Sequence, residues 1–175
     1  MIRKILAGAS ALLLLGLLAS QAMAADADVQ REVLDRAQIE SLMWHYVRAL
    51  DTLNAEEYAA TYTADGQFGS GANAVKGREA LEKMITGLRQ RAAQRDAKAG
   101  KKGPAMYHVL TNNYLQFEDR DHAHMEAYWM TVFAQSGATV PVRVAAAGRE
   151  VDELVRINGH WLIKSRDVAP PDPAG

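Results

Sequence analysis

Between Asp26 and Leu53 the apolar residues Ile39, Leu42, Met43, Tyr46, Val47 and Leu50 recur three and four apart, which predicts one long amphipathic helix. The next stretch, NAEEYAATYTADG, opens on Asn54 with Glu57 three residues later, the arrangement of a capping box. It closes at the turn formers Asp65 and Gly66, so it predicts a second, short helix. GQFGSGANAVKG is glycine-rich and predicts a short strand with a hairpin. Helical spacing then returns through Leu81, Met84, Ile85 and Leu88, giving a third helix over 78–99.

From Met106 the pattern changes to β-branched and aromatic residues. MYHVLTNNYLQFE, HAHMEAYWMTVFAQ, VPVRVAAAGREVDELVRI and HWLIKSRDVA predict four strands joined as antiparallel hairpins, the last through a type I′ turn at Asn158-Gly159. The tail, residues 170–175, is rich in proline and cannot join a sheet. Three helices before one long meander is a segregated α+β order, and its economical packing lays the helices on one face of a strongly curved antiparallel sheet. Such a sheet leaves a concave space suited to a small ligand.

Location is written in the first residues. A basic MIRK, an uncharged apolar run and the small-x-small step at Ala22 to Ala24 make a secretory signal peptide over 1–24, with cleavage after Ala24 and a periplasmic or secreted destination. Removing these 24 of 175 residues leaves 151, and the loss of Arg3 and Lys4 moves the formal charge from −1 to −3. That length suits one domain, residues 25–169. The absence of cysteine excludes disulfides, thiol nucleophiles and cysteine metal sites. Later segments are too polar to span a bilayer, so no stable membrane association is expected after cleavage. The basic run from Arg89 to Lys102 has no interleaved aromatic residues and reads as a solvated helix end, not a nucleic-acid surface.

Polar residues inside the first long strand call for an explanation. Alternation puts His108, Leu110 and Asn112 on one face, where a histidine and an asparagine need a partner or a purpose. His122 and His124 have metal-compatible spacing without a third ligand in reach, so no metal is expected. GSG at Gly69 to Gly71 lacks the context of a phosphate cradle, and no cofactor is expected. Trp44, Trp129 and Trp161 are candidates for core or oligomer packing.

YVRALD, FGSGANAVKGREAL, HVLTN, GREVDELVR and NGHWLI together resemble the SnoaL-like group of the nuclear-transport-factor-2-like superfamily, over about Asp35 to Arg166. The resemblance implies a cystatin-like cone and assembly as a dimer or trimer. It also implies a comparison with three lyase types: scytalone dehydratase, hexachlorocyclohexane dehydrochlorinase and bile-acid 7α-dehydratase. These use an Asp at the end of helix one and a His on the first long strand, matched here by Asp51 and His108. Tyr46 matches a tyrosine five residues before the Asp, and Arg156 resembles an arginine on the third long strand. Glu126 and Tyr128 stand near a second strand histidine that this chain lacks, and Glu150 replaces a frequent tyrosine.

The chemistry needs these residue types. A neutral imidazole near ambient pH is a suitable base for carbon acids, and a carboxylate on its other nitrogen fixes the tautomer and stabilises the imidazolium. His108 would be the base, Asp51 its orienter, Tyr46 a donor to a departing hydroxyl, and Arg156 a stabiliser of negative charge. Asn112, Glu126, Tyr128, Tyr58 and Phe68 are candidates for substrate binding. Arg156 has a second reading, an ion-pair ladder with Asp152 and Glu150 on its own strand. Two functions follow: a cofactor-independent lyase or isomerase for a hydrophobic cyclic molecule, or a non-catalytic binding protein for such a ligand.

Overall fold

The computed structural model describes residues 2–135 and 141–171; side chains of 2–22, Ala24 and Ala25 are outside the description. The expected cleavage step at Ala22 to Ala24, the loop at 136–140 and tail residues 172–175 therefore lie outside the described residues in whole or part. Helix α1 runs Ile2–Asp51. Its portion before Ile39 forms a separate unit carrying local ion pairs, Arg31 to Asp28 at 2.6 Å and Arg36 to Glu32 at 2.7 Å. Among the described residues no helix is long and apolar enough to cross a membrane.

From Ile39 onward, the last turns of α1 are followed by α2 (Ala55–Ala60), β1 (Tyr62–Phe68), a 3-10 turn, β2 (Val75–Lys76) and α3 (Arg78–Ala99). Strands β3 (Ala105–Phe117), β4 (His122–Ala134), β5 (Arg143–Ile157) and β6 (His160–Asp167) complete the chain. The order across the sheet is β2-β1-β6-β5-β4-β3. Helices pack on one face of this curved, six-stranded sheet, the α+β arrangement that the hydrophobic pattern predicts. Ile39, Leu42, Met43 and Ala49 of α1 and Leu81 and Ile85 of α3 bury against Met125, Leu154, Trp161 and Ile163.

Two features correct the sequence reading. The second helix stops at Ala60, and Tyr62 to Phe68, expected in part as its end, is a strand. That strand also runs parallel to β6, so the sheet is mixed and not wholly antiparallel. The turn formers mislead because they serve a bulge: five steps along β1, Tyr62 to Gln67, match two along β6, Ile163 to Ser165. A Cβ on Gly66 would stand 2.8 Å from the Tyr62 Cβ and 3.0 Å from the Ile163 carbonyl oxygen, so only glycine fits the fold-over. The β5–β6 turn follows its sequence, with Asn158 and Gly159 at φ 53° and 81°.

Candidate active site

Asp51 is the last residue of α1. The helix is closed there by Leu53 at φ 53° and by the Asn54 N–H donating to the Ala49 carbonyl at 2.9 Å. A carboxylate at this end faces the negative pole of the helix dipole and needs donors. His108 on β3 supplies two: its backbone N–H and its ring Nδ1 lie 2.9 and 2.8 Å from Asp51 Oδ1. An ionised carboxylate only accepts, so Nδ1 carries the proton and Nε2 holds the lone pair. Nε2 has no partner among the described residues.

His108 stands between a shallow surface groove, which Asp51 also lines, and an inner cavity of about 210 Å³. Leu50, Phe68, Leu110, Trp129 and Val168 form the apolar walls of that cavity; Tyr46, Thr131 and Glu150 join His108 as its polar fixtures. Trp129 is fixed from both sides. Its Nε1–H is shared between the carbonyls of Arg149 at 3.2 Å and Val168 at 3.0 Å, and its ring lies on Gly148, where a Cβ would come within 3.0 Å.

Beneath the cavity lies a buried charge cluster. Arg166 donates from Nε and Nη2 to the two oxygens of Asp152, at 2.8 and 2.5 Å, and from Nη2 to Glu150 Oε1 at 2.9 Å. Its guanidinium also lies 3.9 Å from the centre of the Tyr46 ring, a cation–π contact. Burial raises the Glu150 pKa from 4.5 to about 7; Arg166 opposes the shift and Asp152 adds to it. Burial likewise raises the Tyr46 phenol, so it keeps its proton.

The structure thus brings Asp51, His108, Tyr46 and Phe68 to one place and leaves other expected site residues outside it. Tyr58 is fully buried behind Tyr46, with ring centres 5.2 Å apart and its hydroxyl 3.2 Å from that of Tyr62. Asn112 does not share the inner face with His108. Three steps on β3, Thr111 to Tyr114, match two on β4, and Asn112 takes φ 55° in that bulge, exposed, accepting from the Thr111 hydroxyl. Glu126 and Tyr128 alternate with buried Met125 and Ala127 and therefore lie on the outer face, where Arg149 pairs with Glu126 at 2.8 Å. Arg156 lines neither cavity nor groove. It donates to the Arg120 carbonyl, pairs with Asp121 at 3.3 Å and stacks on Trp161, which ties it to the β3–β4 turn.

Nor does Arg156 ladder with Asp152 and Glu150; Arg166 takes that position from the neighbouring strand. Alternation from Ile163 would point Ser165 inward, but an extra residue at Lys164 moves Arg166 there instead. The available sign was Glu150 and Asp152 themselves, two acids on one strand face that require a cation. Among the described residues no three His, Cys, Asp or Glu side chains gather as a metal-ligand set.

The chain belongs to the SnoaL-like domain family, whose model matches residues 31–167. Its fold is shared with an NTF2-like protein of cystatin-like fold from Novosphingobium aromaticivorans: TM-score 0.66, 23% identity, 85% of this chain and 89% of that one covered. A protein of the same bacterium, provisionally called a scytalone dehydratase, aligns with TM-score 0.64 and 20% identity over 84% of this chain and 99% of that one. A Catenulispora acidiphila protein in complex with S-DNPA aligns with TM-score 0.61 and 23% identity, over 77% and 91%. No curated protein matches the sequence.

Proposed function

We propose that this protein is an exported, cofactor-independent lyase or isomerase acting on a small cyclic hydrophobic molecule. The observation that carries the reading is the 2.8 Å contact of His108 Nδ1 with Asp51 at the wall of an apolar cavity. With Nδ1–H donated to the carboxylate, Nε2 is the base. It takes a proton from a carbon made acidic by a neighbouring carbonyl, and Asp51 stabilises the imidazolium that results. Loss of water or halide, or return of the proton at another carbon, completes the reaction. Tyr46 remains a phenol and a hydrogen-bond donor to a substrate oxygen.

Size narrows the substrate. A dry cavity of roughly 150 Å³ accepts benzene, so about 210 Å³ suits one substituted six-membered ring. Incubation with single-ring hydroxy ketones and their chloro counterparts, followed by ultraviolet absorbance of the enone, tests the reading. Turnover by wild type and its loss in His108→Gln is the expected result. Binding of the enone without any turnover makes the protein a carrier instead.

Export rests on residues 1–24, and the mass of the mature chain recovered outside the cytoplasm checks cleavage after Ala24. Self-association is proposed for the outer sheet face. There the register aligns Tyr107, Val132 and Val144 beside Val109, Met130 and Ala147, with Tyr107 and Val144 about half exposed. Tyr107→Glu is expected to reduce the particle mass in light scattering; an unchanged mass refutes this face.

A further inference from the structure

Glu150 points inward from β5, 2% exposed, and lines the same cavity as His108. Among the described residues its side chain has one hydrogen-bond partner, Arg166, through Oε1. Arg166 is already committed to Asp152 by a two-pronged pair, which is the stronger arrangement and neutralises that carboxylate first. One guanidinium therefore faces two buried carboxyl groups. Tyr46 stacks on Arg166 and Tyr58 and Tyr62 pack on Tyr46, and all three phenols are held protonated and neutral by burial. Among the described residues no second cation balances Glu150, so a buried charge there is unfavourable and the carboxyl holds its proton up to about pH 7. Oε2 has no hydrogen-bond partner among the described residues, and Glu150 is one of the residues that line the cavity.

We propose that Glu150 is the proton donor to the departing hydroxyl, working in one cavity with His108 as base. The inference rests on the lyase reading above and assigns its acid. His108 Nε2 takes the proton from the carbon beside the carbonyl, and that C–H electron pair becomes the C=C bond. The C–O bond breaks with its pair on oxygen, and Glu150 gives that oxygen its proton, so water leaves. Imidazolium and carboxylate remain, and one proton passed from His108 to Glu150 through solvent restores both. Substrate becomes alkene plus water with no redox change.

Two probes with different leaving groups test the assignment: 3-hydroxycyclohexanone, whose hydroxide must be protonated, and 3-chlorocyclohexanone, whose chloride needs no proton. Glu150→Gln, equal in volume and unable to give up a proton, is expected to slow water loss about 100-fold. Chloride loss should slow far less, while His108→Gln loses both. An equal slowing of both probes in Glu150→Gln overturns the acid role and leaves the dyad reading standing. Retention of both activities in His108→Gln overturns the dyad, and wild type inert toward both probes overturns the substrate class with it. Should Glu150→Gln fail to fold, the ¹³C carboxyl resonance of Glu150 in wild type decides: titration in the ordinary carboxylate range refutes the proposal, and retention of the proton near neutrality supports it.

Discussion

Asp51 holds His108 at two points with a single oxygen, which accepts from the backbone N–H and from ring Nδ1. The backbone contact fixes where β3 lies relative to the end of α1, and the ring contact fixes which nitrogen is free. Replacement by asparagine keeps the shape and removes the charge. In Asp51→Asn, ¹⁵N chemical shifts of His108 should show loss of the pure Nδ1–H tautomer. Turnover should fall at least about 100-fold, since a base in the wrong tautomer presents N–H to the substrate.

The buried carboxyls give the protein a dependence on pH. Glu150 binds its proton more tightly folded, at about 7, than at its ordinary 4.5. Its contribution to stability is therefore complete below about 4.5 and is lost as pH rises through about 7, roughly 3 kcal/mol in all. Burial is the largest cause of the shift, Arg166 opposes it and Asp152 adds to it. Urea unfolding at a series of pH values should show wild type weakening across this window and Glu150→Gln weakening much less.

Gly148 is the floor on which Trp129 rests, and a methyl group there meets the indole at 3.0 Å. Gly148→Ala is expected to cost about 1–3 kcal/mol by overpacking and to tilt the ring out of its two carbonyl contacts. A lower thermal midpoint together with a shifted tryptophan emission would register both effects.

Asn112 makes a bulge and lines neither the cavity nor the groove beside His108. Asn112→Gly should leave stability and turnover close to wild type, because glycine accepts the left-handed backbone at φ 55°. Asn112→Val should cost about 1–2 kcal/mol with turnover preserved in the folded fraction, as denaturant curves and active-site-normalised rates would show.

Periodic segments without irregularities were legible in the sequence. Leu81 and Ile85 marked α3 and its buried face, and Asn158-Gly159 marked the last hairpin, because in both cases spacing or local backbone chemistry determines the structure alone. The failures share one cause. Bulges at Asn112, at Lys164 and between Tyr62 and Gln67 each interrupt the alternation, so a face read through them is inverted. Alternation read through them puts Asn112 inside and hides Arg166. Arg156 was expected at the site from family likeness, while its actual partners come from the β3–β4 turn, which no periodicity reveals.

The stretch after β6 has a role beyond ending the sheet. Trp129 donates to the Val168 carbonyl and Arg149 to that of Pro171, so two neighbouring strands button this stretch in place, with Val168 lining one side of the chamber. The stretch that follows β6 thus supplies part of the cavity wall. Trimming the protein back to Asp167 would strip Val168 from the cavity wall and remove one of the two carbonyls that hold the Trp129 indole, loosening a ring that the catalytic groups face.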